Sequence, residues 1–242
     1  MQQDKPRLVI KTKLDYFTVD NIGNIYTIRE DEIIKFLPTG KLFARYSNLK
    51  LGNITTADAT NPLKILLYYR DFQQIVFLDN QLSVNSDPVS LENLGYEQTD
   101  LVCASANNGF WIYNKQNNEL IRFDENSKKI VSTGNLKQIL QSDLNPNFMT
   151  EYNNYLFLNS PDNGIFVFDI FGAFSKTISL KNLTHFRINE SIIYYQKDNK
   201  LCSYNHKQFE EACLRVDTLS PNIIDYFEKK IYCGFRDSLV VL

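Results

Sequence analysis

Histidine and glycine are scarce in this sequence, which has two histidines and nine glycines among 242 residues. His185 and His206 fall in different predicted strands or turns of one structural repeat, so they do not suggest a histidine metal cluster or a two-histidine acid–base pair. No glycine-rich phosphate loop, nucleophile elbow, zinc-protease motif or EF-hand is present. These absences exclude the enzyme classes that such motifs identify.

Cysteine is also sparse. Cys103, Cys202, Cys213 and Cys233 match neither a CxxC metal pattern nor the density of a disulfide scaffold. We therefore predict four free thiols that behave mostly as small buried hydrophobes. A Cys202–Cys213 disulfide is the one alternative, because these two residues lie on adjacent predicted strands.

Long apolar runs and clusters of one charge are missing too. No stretch of 18 apolar residues occurs, so no membrane-spanning helix is expected. The net charge is −2 and the basic residues are scattered singly, which argues against binding to nucleic acid or to an anionic membrane surface. The polar residues 1–6 are typical of a mature chain after removal of an export signal, with a native cytosolic start as the alternative.

An internal repeat is the main positive feature of the sequence. Six segments share the pattern apolar, apolar, variable, large apolar, and they begin at Ile33, Ile75, Leu120, Ile165, Leu201 and Leu239. Eight residues before each lies another apolar residue, and the position after that one is Tyr26, Tyr68, Tyr113, Leu158, Tyr194 or Tyr232. Five tyrosines at one register greatly exceed the background of about 3% for tyrosine. The segments are therefore true repeats.

Each repeat predicts four antiparallel strands. Two of them form the central apolar hairpin, whose turn carries Asp, Asn or Gln. The first strands are predicted at 16–19, 53–57, 101–105, 147–150, 185–188 and 223–227, and the fourth at 41–46, 82–85, 129–132, 175–180 and 211–216. Units of about 40 residues are typical of propeller blades. The sequence predicts an all-β, six-bladed β-propeller in a single domain, residues 1–242, with residues 7–13 completing the last blade.

The connections between repeats carry two further signals. A leucine recurs at the entry to each blade, where we expect it to fill the gap between neighbouring blades: Leu14, Leu49, Leu94, Leu136, Leu183 and Leu219. Two connections are long, at 86–98 and 134–146, and the second has Leu136, Ile139 and Leu140 at helical spacing. Long loops on a rigid scaffold are common sites of function.

The first repeat, with DNIGNIY at 20–26 and IIKF at 33–36, resembles the NHL and TolB-like six-bladed propellers. The stretch NPLKILLYYRDFQQIVFLD at 61–79 is similar to small exported propeller proteins of Gram-negative bacteria that have no assigned activity. This second resemblance implies a periplasmic or exported location, and it implies no mechanism.

Cations and aromatic residues mix in the turns of the central hairpins, as they do at protein interfaces. Together with the long connection they predict a partner-binding face that contains Arg70, Phe72, Lys115, Leu136, Ile139, Leu140 and Arg236. We predict a non-catalytic scaffold that binds another protein and needs no cofactor.

Two other classes of function remain open. The first is a carbohydrate or small-ligand binding module. The second is a metal-dependent hydrolase of the lactonase type, with calcium held on the propeller axis by carboxylates near the ends of the inner strands. Its candidate ligands are Asp20, Asp58, Asp100 and Asp225. Their positions within the repeats are not equivalent, which weakens this alternative.

Overall fold

The computed structural model describes residues 8–216 and 221–242. These residues form 24 β-strands in six four-stranded antiparallel sheets, which are the blades of a six-bladed propeller. The predicted fold class is therefore confirmed. None of the helices among the described residues is long and apolar enough to cross a membrane.

The blades follow the chain in order, and each runs from its first to its fourth strand. Blade 1 consists of β2 (Tyr16–Val19), β3 (Ile25–Arg29), β4 (Glu32–Phe36) and β5 (Leu42–Ser47). Blade 2 consists of β6 (Thr56–Asp58), β7 (Ile65–Tyr69), β8 (Gln74–Leu78) and β9 (Val89–Ser90). Blade 3 consists of β10 (Thr99–Ala104), β11 (Phe110–Asn114), β12 (Glu119–Phe123) and β13 (Lys129–Ser132).

Blade 4 consists of β14 (Phe148–Tyr152), β15 (Tyr155–Ser160), β16 (Gly164–Asp169) and β17 (Phe174–Ile178). Blade 5 consists of β18 (Phe186–Asn189), β19 (Ile192–Lys197), β20 (Lys200–Asn205) and β21 (Glu210–Arg215). Blade 6 consists of β22 (Ile223–Phe227), β23 (Lys230–Gly234), β24 (Ser238–Val241) and β1 (Leu8–Lys11). The described residues also form 3₁₀ turns at Leu49–Leu51 and Arg70–Phe72 and one short helix, α1 (Leu136–Leu140).

The repeated tyrosines occupy the second strand of five blades, as the repeat predicts. Their side chains are buried in four of these blades and half-buried at Tyr194. Burial of tyrosine requires a partner for the hydroxyl group. Tyr26 donates to the Asp20 carboxylate, Tyr68 to the Thr99 carbonyl, and Tyr113 to the Asn118 side chain. The series is thus part of the packing of the blades.

The predicted fourth strand of blade 2 is wrong. The structure places β9 at Val89–Ser90, whereas residues 82–85 contribute only an isolated bridge between Leu78 and Val84. Asp79 accepts the backbone N–H groups of Gln81 and Ser83 and so folds this segment into a turn. Because of this turn, the outer strand of blade 2 begins only at Val89.

The described residues divide into two compact units. The first contains residues 8–47, 185–216 and 221–242, which form blades 1, 5 and 6. In it β1 pairs with β24 over four residues in register, from Leu8 opposite Val241 to Lys11 opposite Ser238. Ile10 is buried there with Leu14, Tyr232 and Leu239. The prediction that an N-terminal strand completes the last blade is confirmed, although Arg7 lies outside the described residues.

The second unit contains residues 48–184, which form blades 2, 3 and 4. Between successive blades its hydrophobic side chains form two core clusters, one around Phe110, Ile121 and Phe123 and the other around Trp111 and Phe168. The Phe110 and Phe123 rings stack with centroids 4.9 Å apart. Antiparallel sheets with both faces covered in this way give the unit a continuous apolar interior.

The expected role of the connecting leucines is only partly correct. Leu14, Leu136 and Leu183 are buried. Leu94 packs at the edge of a core cluster. Leu49 is instead 83% exposed, because it begins a 3₁₀ turn that projects its side chain outward. Leu219 lies outside the described residues.

The prediction of four free thiols is wrong for one pair. Cys202 and Cys213 stand directly opposite each other on β20 and β21 and form a disulfide. The strand register brings the two β-carbons together, which composition and spacing alone do not reveal. Cys103 and Cys233 are free and buried, as predicted.

Candidate binding surface

Two of the predicted partner-binding residues meet at one aspartate in the second unit. The Arg70 guanidinium donates to the backbone carbonyl of Asp100 over 2.9 Å. The Lys115 ammonium forms an ion pair with the Asp100 carboxylate over 3.0 Å. Arg70 follows β7 and Lys115 follows β11, so these contacts join the central-hairpin turns of blades 2 and 3.

Phe72 lies in the same turn as Arg70 and is half exposed. Its ring covers Gly52, where a Cβ atom would lie 3.5 Å from the ring, and Gly52 ends the 3₁₀ turn that carries Leu49. The Arg70 amide also donates to the Thr55 hydroxyl over 3.2 Å. Two exposed apolar side chains, Leu49 and Phe72, therefore lie on adjoining segments. Sequence reasoning missed Leu49 because it was assigned to the core.

Helix α1 is connected to the central-hairpin turn of blade 3 by a backbone hydrogen bond. The Leu136 amide donates to the Asn118 carbonyl over 2.7 Å, and Asn118 ends the turn that begins at Lys115. Ile139 is 42% exposed. Leu136 is completely buried and Leu140 packs against the same core cluster. Leu136 is therefore part of the core in this structure, and Ile139 is the one of these three helix residues that is exposed to solvent.

These contacts link turns at one end of the blades in the second unit, and the exposed side chains of these turns form a surface. We call it the blade-end surface, and its side chains are Leu49, Arg70, Phe72, Lys115 and Ile139. It combines three exposed apolar groups with two cations. Arg236 is exposed in the β23–β24 turn of the first unit and is described with that unit.

Buried hydrogen bonds fix the turn beneath the blade-end surface. Gln73 has a left-handed backbone with φ of 50°, and its side chain donates to the Thr99 carbonyl and accepts from the Thr99 amide. The Tyr68 hydroxyl donates to the same carbonyl over 2.6 Å, and burial raises the pKa of this hydroxyl. Arg70 and Phe72 are thus presented by a rigid support, which lowers the entropy cost of binding.

Each of the four carboxylates considered as axial calcium ligands is bound to another group of the protein, and the four lie at different positions along their strands. In the second unit, Asp58 ends β6 and accepts the Ala104 amide over 2.9 Å. Asp100 lies near the start of β10 and pairs with Lys115. These two positions are at opposite ends of neighbouring inner strands, so they do not form a common ligand set.

The other two candidate ligands belong to the first unit. Asp20 is completely buried and accepts four hydrogen bonds, from the Ile22 amide, from the amide and side chain of Asn24, and from the Tyr26 hydroxyl. Asp225 is paired with Arg187. Both carboxylates are therefore engaged in protein contacts.

Arg187 forms a bridge between inner strands of the first unit. Its guanidinium contacts both oxygens of Asp225, at 2.8 to 3.1 Å, and also donates to the Val19 carbonyl over 3.0 Å. It lies over the Phe227 ring, 5.3 Å from the centroid. One side chain of β18 thus reaches both β22 and β2. Bidentate contacts of this kind are strong and directional.

The charges of this bridge affect its neighbours. Burial alone would raise the pKa of Asp225, but the charge and hydrogen bonds of Arg187 outweigh burial, so the pKa is lowered. His185 is exposed, yet the protein around it displaces enough water to lower the pKa of its imidazole, while Asp225 opposes this shift. The group is therefore a fixed ion pair with an imidazole beside it.

Comparison with known proteins gives a structural likeness only. No protein-family model matches the chain, and no curated protein matches it in sequence. A streptogramin B lyase structure is similar with a TM-score of 0.62 and 16% identity, over 93% of this chain and 77% of that one. Virginiamycin B lyase from Staphylococcus aureus gives a TM-score of 0.60 and 14% identity, over 93% and 78% of the two chains.

The extracellular domain of a one-component system from B. thetaiotaomicron is similar with a TM-score of 0.58 and 10% identity, over 93% of this chain and 32% of that one. At such low identities the likeness shows a shared propeller fold. Function must be argued from the residues of this chain, because one fold supports many functions.

Proposed function

We propose that this protein is a non-catalytic scaffold that binds another protein through the blade-end surface. The observation that carries the proposal is the contact path from the 3₁₀ turn of Leu49, through Phe72, Arg70 and Lys115, to α1. Apolar and cationic side chains are found together at protein interfaces. Rigid turns lower the entropy cost of binding.

A location in the bacterial cell envelope belongs to the same proposal. The Cys202–Cys213 disulfide supports it, because disulfides persist mainly in oxidising compartments. The resemblance of residues 61–79 to small exported propeller proteins supports it independently. Fractionation of the native host should recover the protein in the envelope or the medium, and recovery in the cytoplasm would contradict this part of the proposal.

The binding test compares two variants of matched hydrophobicity. The surface variant carries Phe72→Ser and Ile139→Ser. The control variant carries Leu63→Ser and Phe171→Ser, which remove apolar groups that are more exposed than these two from loops at the opposite end of the blades in the second unit. Each protein is affinity-purified from the native host, and the bound proteins are quantified by mass spectrometry. A partner that binds the purified wild-type protein directly is then measured with all three.

We expect the surface variant to lose at least about tenfold in affinity for that partner, because truncation of a hot-spot residue near the centre of an interface costs about 2 kcal/mol or more. The control variant should bind as the wild type does. Retention of the partner by the surface variant together with its loss from the control would show that the other end of the blades is the binding face.

A small-ligand binding module is the second candidate function. His185 favours it, because an exposed imidazole lies beside the fixed Arg187–Asp225 pair in the first unit. A ligand at 100 times its dissociation constant stabilises a protein by about 2.7 kcal/mol. A thermal-shift screen with carbohydrates and small carboxylates would therefore identify a ligand, and His185→Ala should abolish the shift. A shift that persists in this variant would place the ligand elsewhere.

A further inference from the structure

The outer half of blade 5 brings two cysteines and a carboxylate together. Cys202 on β20 is opposite Cys213 on β21, and Glu211 is two residues before Cys213, hence on the same face of the strand. One ligand atom from each residue lies within 4.8 Å of the others. Among residues 8–216 and 221–242 this is the one group of three or more potential metal ligands of the His, Cys, Asp and Glu types.

The disulfide is open to a reductant from one side. All six residues of β21 are exposed, including Cys213, whereas Cys202 is completely buried. A thiolate can therefore reach the Cys213 sulfur but not the Cys202 sulfur. Thiol–disulfide exchange needs this access to the sulfur that is attacked.

Reduction by a dithiol then proceeds in two balanced steps. One thiolate of the reductant attacks Cys213 Sγ, which forms a mixed disulfide and releases Cys202 as a thiolate. The second thiol of the reductant attacks the mixed disulfide and releases Cys213, and the reductant leaves as its own cyclic disulfide. Two electrons pass to the protein, and the two protons of the reductant appear on Cys202 and Cys213.

We propose that the reduced Cys202–Cys213 pair and Glu211 form a site for a thiophilic divalent cation, Zn²⁺ or Cd²⁺. Two thiolates and a carboxylate are ligands that zinc accepts, and binding releases the two thiol protons. In a tetrahedral zinc site two sulfurs are about 3.8 Å apart. This is close to the separation that two non-bonded sulfurs adopt, so small side-chain rotations convert the disulfide into the ligand pair.

A hydrogen bond already orients the carboxylate. The Tyr195 hydroxyl of β19 donates to Glu211, and Tyr195 is itself opposite Cys202 in the sheet. Such outer hydrogen bonds fix metal-binding side chains in position. The exposure of β21 leaves the fourth coordination position to water. Oxidation removes both thiolates, so the cation and the disulfide exclude each other.

The other cysteines of the chain provide a control. Cys103 and Cys233 are buried, and burial raises the pKa of both thiols, that of Cys233 to about 11. Cys103 lies on β10 of blade 3 and Cys233 on β23 of blade 6, where Cys233 packs with Leu201, a neighbour of Cys202 whose side chain points to the opposite face of β20. A Cys103→Ala/Cys233→Ala variant therefore removes all other thiols and leaves the proposed ligands unchanged.

The test is titration of the full chain with Zn²⁺ by calorimetry, before and after reduction with an immobilised dithiol under anaerobic conditions. Cd²⁺ is titrated in parallel, because thiolate ligation produces an ultraviolet charge-transfer band. Circular dichroism of the reduced protein checks that the fold persists. We expect one cation per reduced chain, no stoichiometric binding to the oxidised chain, and the same result for the Cys103→Ala/Cys233→Ala variant.

Cys202→Ser/Cys213→Ser should abolish binding, and Glu211→Gln should weaken it about tenfold or more while keeping the charge-transfer band. Tyr195→Phe should weaken it less. The proposal is overturned if the reduced wild type takes up no cation, if the double serine variant still binds, or if the oxidised chain binds equally well. Unfolding of the wild type on reduction would also overturn it, because the ligands are assembled by the β20–β21 register.

Discussion

Arg187 and Asp225 form the most enclosed ion pair among the described residues, with side chains that are 18% and 5% exposed. Charges in such places are costly to desolvate, and their mutual attraction repays that cost only while both partners are present. Loss of one partner is therefore more damaging than loss of both. The pair also connects inner strands of three blades in the first unit, so its effect extends beyond one sheet.

We expect Asp225→Asn to lower the free energy of unfolding by about 3 kcal/mol, because it leaves the Arg187 charge without its counter-ion. Chemical denaturation at pH 7 measures this change. Asp100→Asn is the matched control. It removes the half-buried partner of the exposed Lys115 ammonium and should cost less than about 1 kcal/mol. Equal losses in the two variants would contradict the argument from burial.

The same pair predicts a dependence on pH. The pKa of Asp225 is lowered in the folded protein, so its stabilising effect is complete above its unfolded pKa of about 4 and is lost as the pH falls through the folded pKa. The difference in stability between wild type and Asp225→Asn should therefore be constant near neutrality and shrink below about pH 4. A difference that grows on acidification would exclude this explanation.

At the scale of single elements, the repeat predicted the strands well wherever local pattern decides the structure. β2, β13 and β22 have the predicted bounds, because alternation of apolar residues and turn chemistry act over a few residues. The prediction for the fourth strand of blade 2 is wrong. The segment that begins with the Asp79 turn contains apolar residues, as the strand after it does, so the sequence pattern does not distinguish the two. The Cys202–Cys213 bond required the register of two strands, which the sequence pattern does not specify to the single residue.

The candidate site was less predictable than the fold. Arg70, Phe72 and Lys115 were predicted from their places in turns, where side chains are exposed by default, and the structure has all three exposed. The core position predicted for Leu49 is wrong, whereas the one predicted for Leu136 is correct, since the connecting leucines share a sequence position but not a backbone conformation. Only the three-dimensional course of each connection determines which leucine enters the core.

Helix α1 therefore allows a test that separates packing from binding. Leu136→Ser should lower the free energy of unfolding by about 3 kcal/mol or more, because it opens a cavity and buries a hydroxyl group in a core cluster. Ile139→Ser, one turn later and 42% exposed, should change stability by less than about 0.5 kcal/mol. Thermal melting of both variants measures the difference, and comparable melting temperatures would show that α1 is not packed as described.

At the scale of the whole molecule, strands from the two ends of the described residues meet in one sheet. β1 comes from the beginning of the described chain and joins β24 near its end, and the pairing leaves β24 without an exposed edge. An open edge is a template for pairing with other chains, and propellers protect or remove such edges. Closure of blade 6 should therefore affect both the stability and the solubility of the protein.

Truncation before Thr12 tests this closure. It removes the ladder bonds of β1, each worth about 0.5–1.5 kcal/mol net, and the burial of Ile10, worth a further ~2 kcal/mol or more. The sum is a large part of the roughly 5–15 kcal/mol that stabilises a typical domain. We expect the melting temperature to fall by about 10 °C or more and the truncated protein to aggregate through β24.

Two point variants distinguish closure from a general effect of shortening the chain. Ile10→Thr should reproduce part of the loss of stability, because the Ile10 side chain is buried among Leu14, Tyr232 and Leu239. Val9→Thr, on the exposed side of the same strand, should leave the melting temperature nearly unchanged. Melting and light scattering are recorded together for all four proteins. A truncated chain that stays monodisperse and melts with the wild type would mean that blade 6 does not depend on β1.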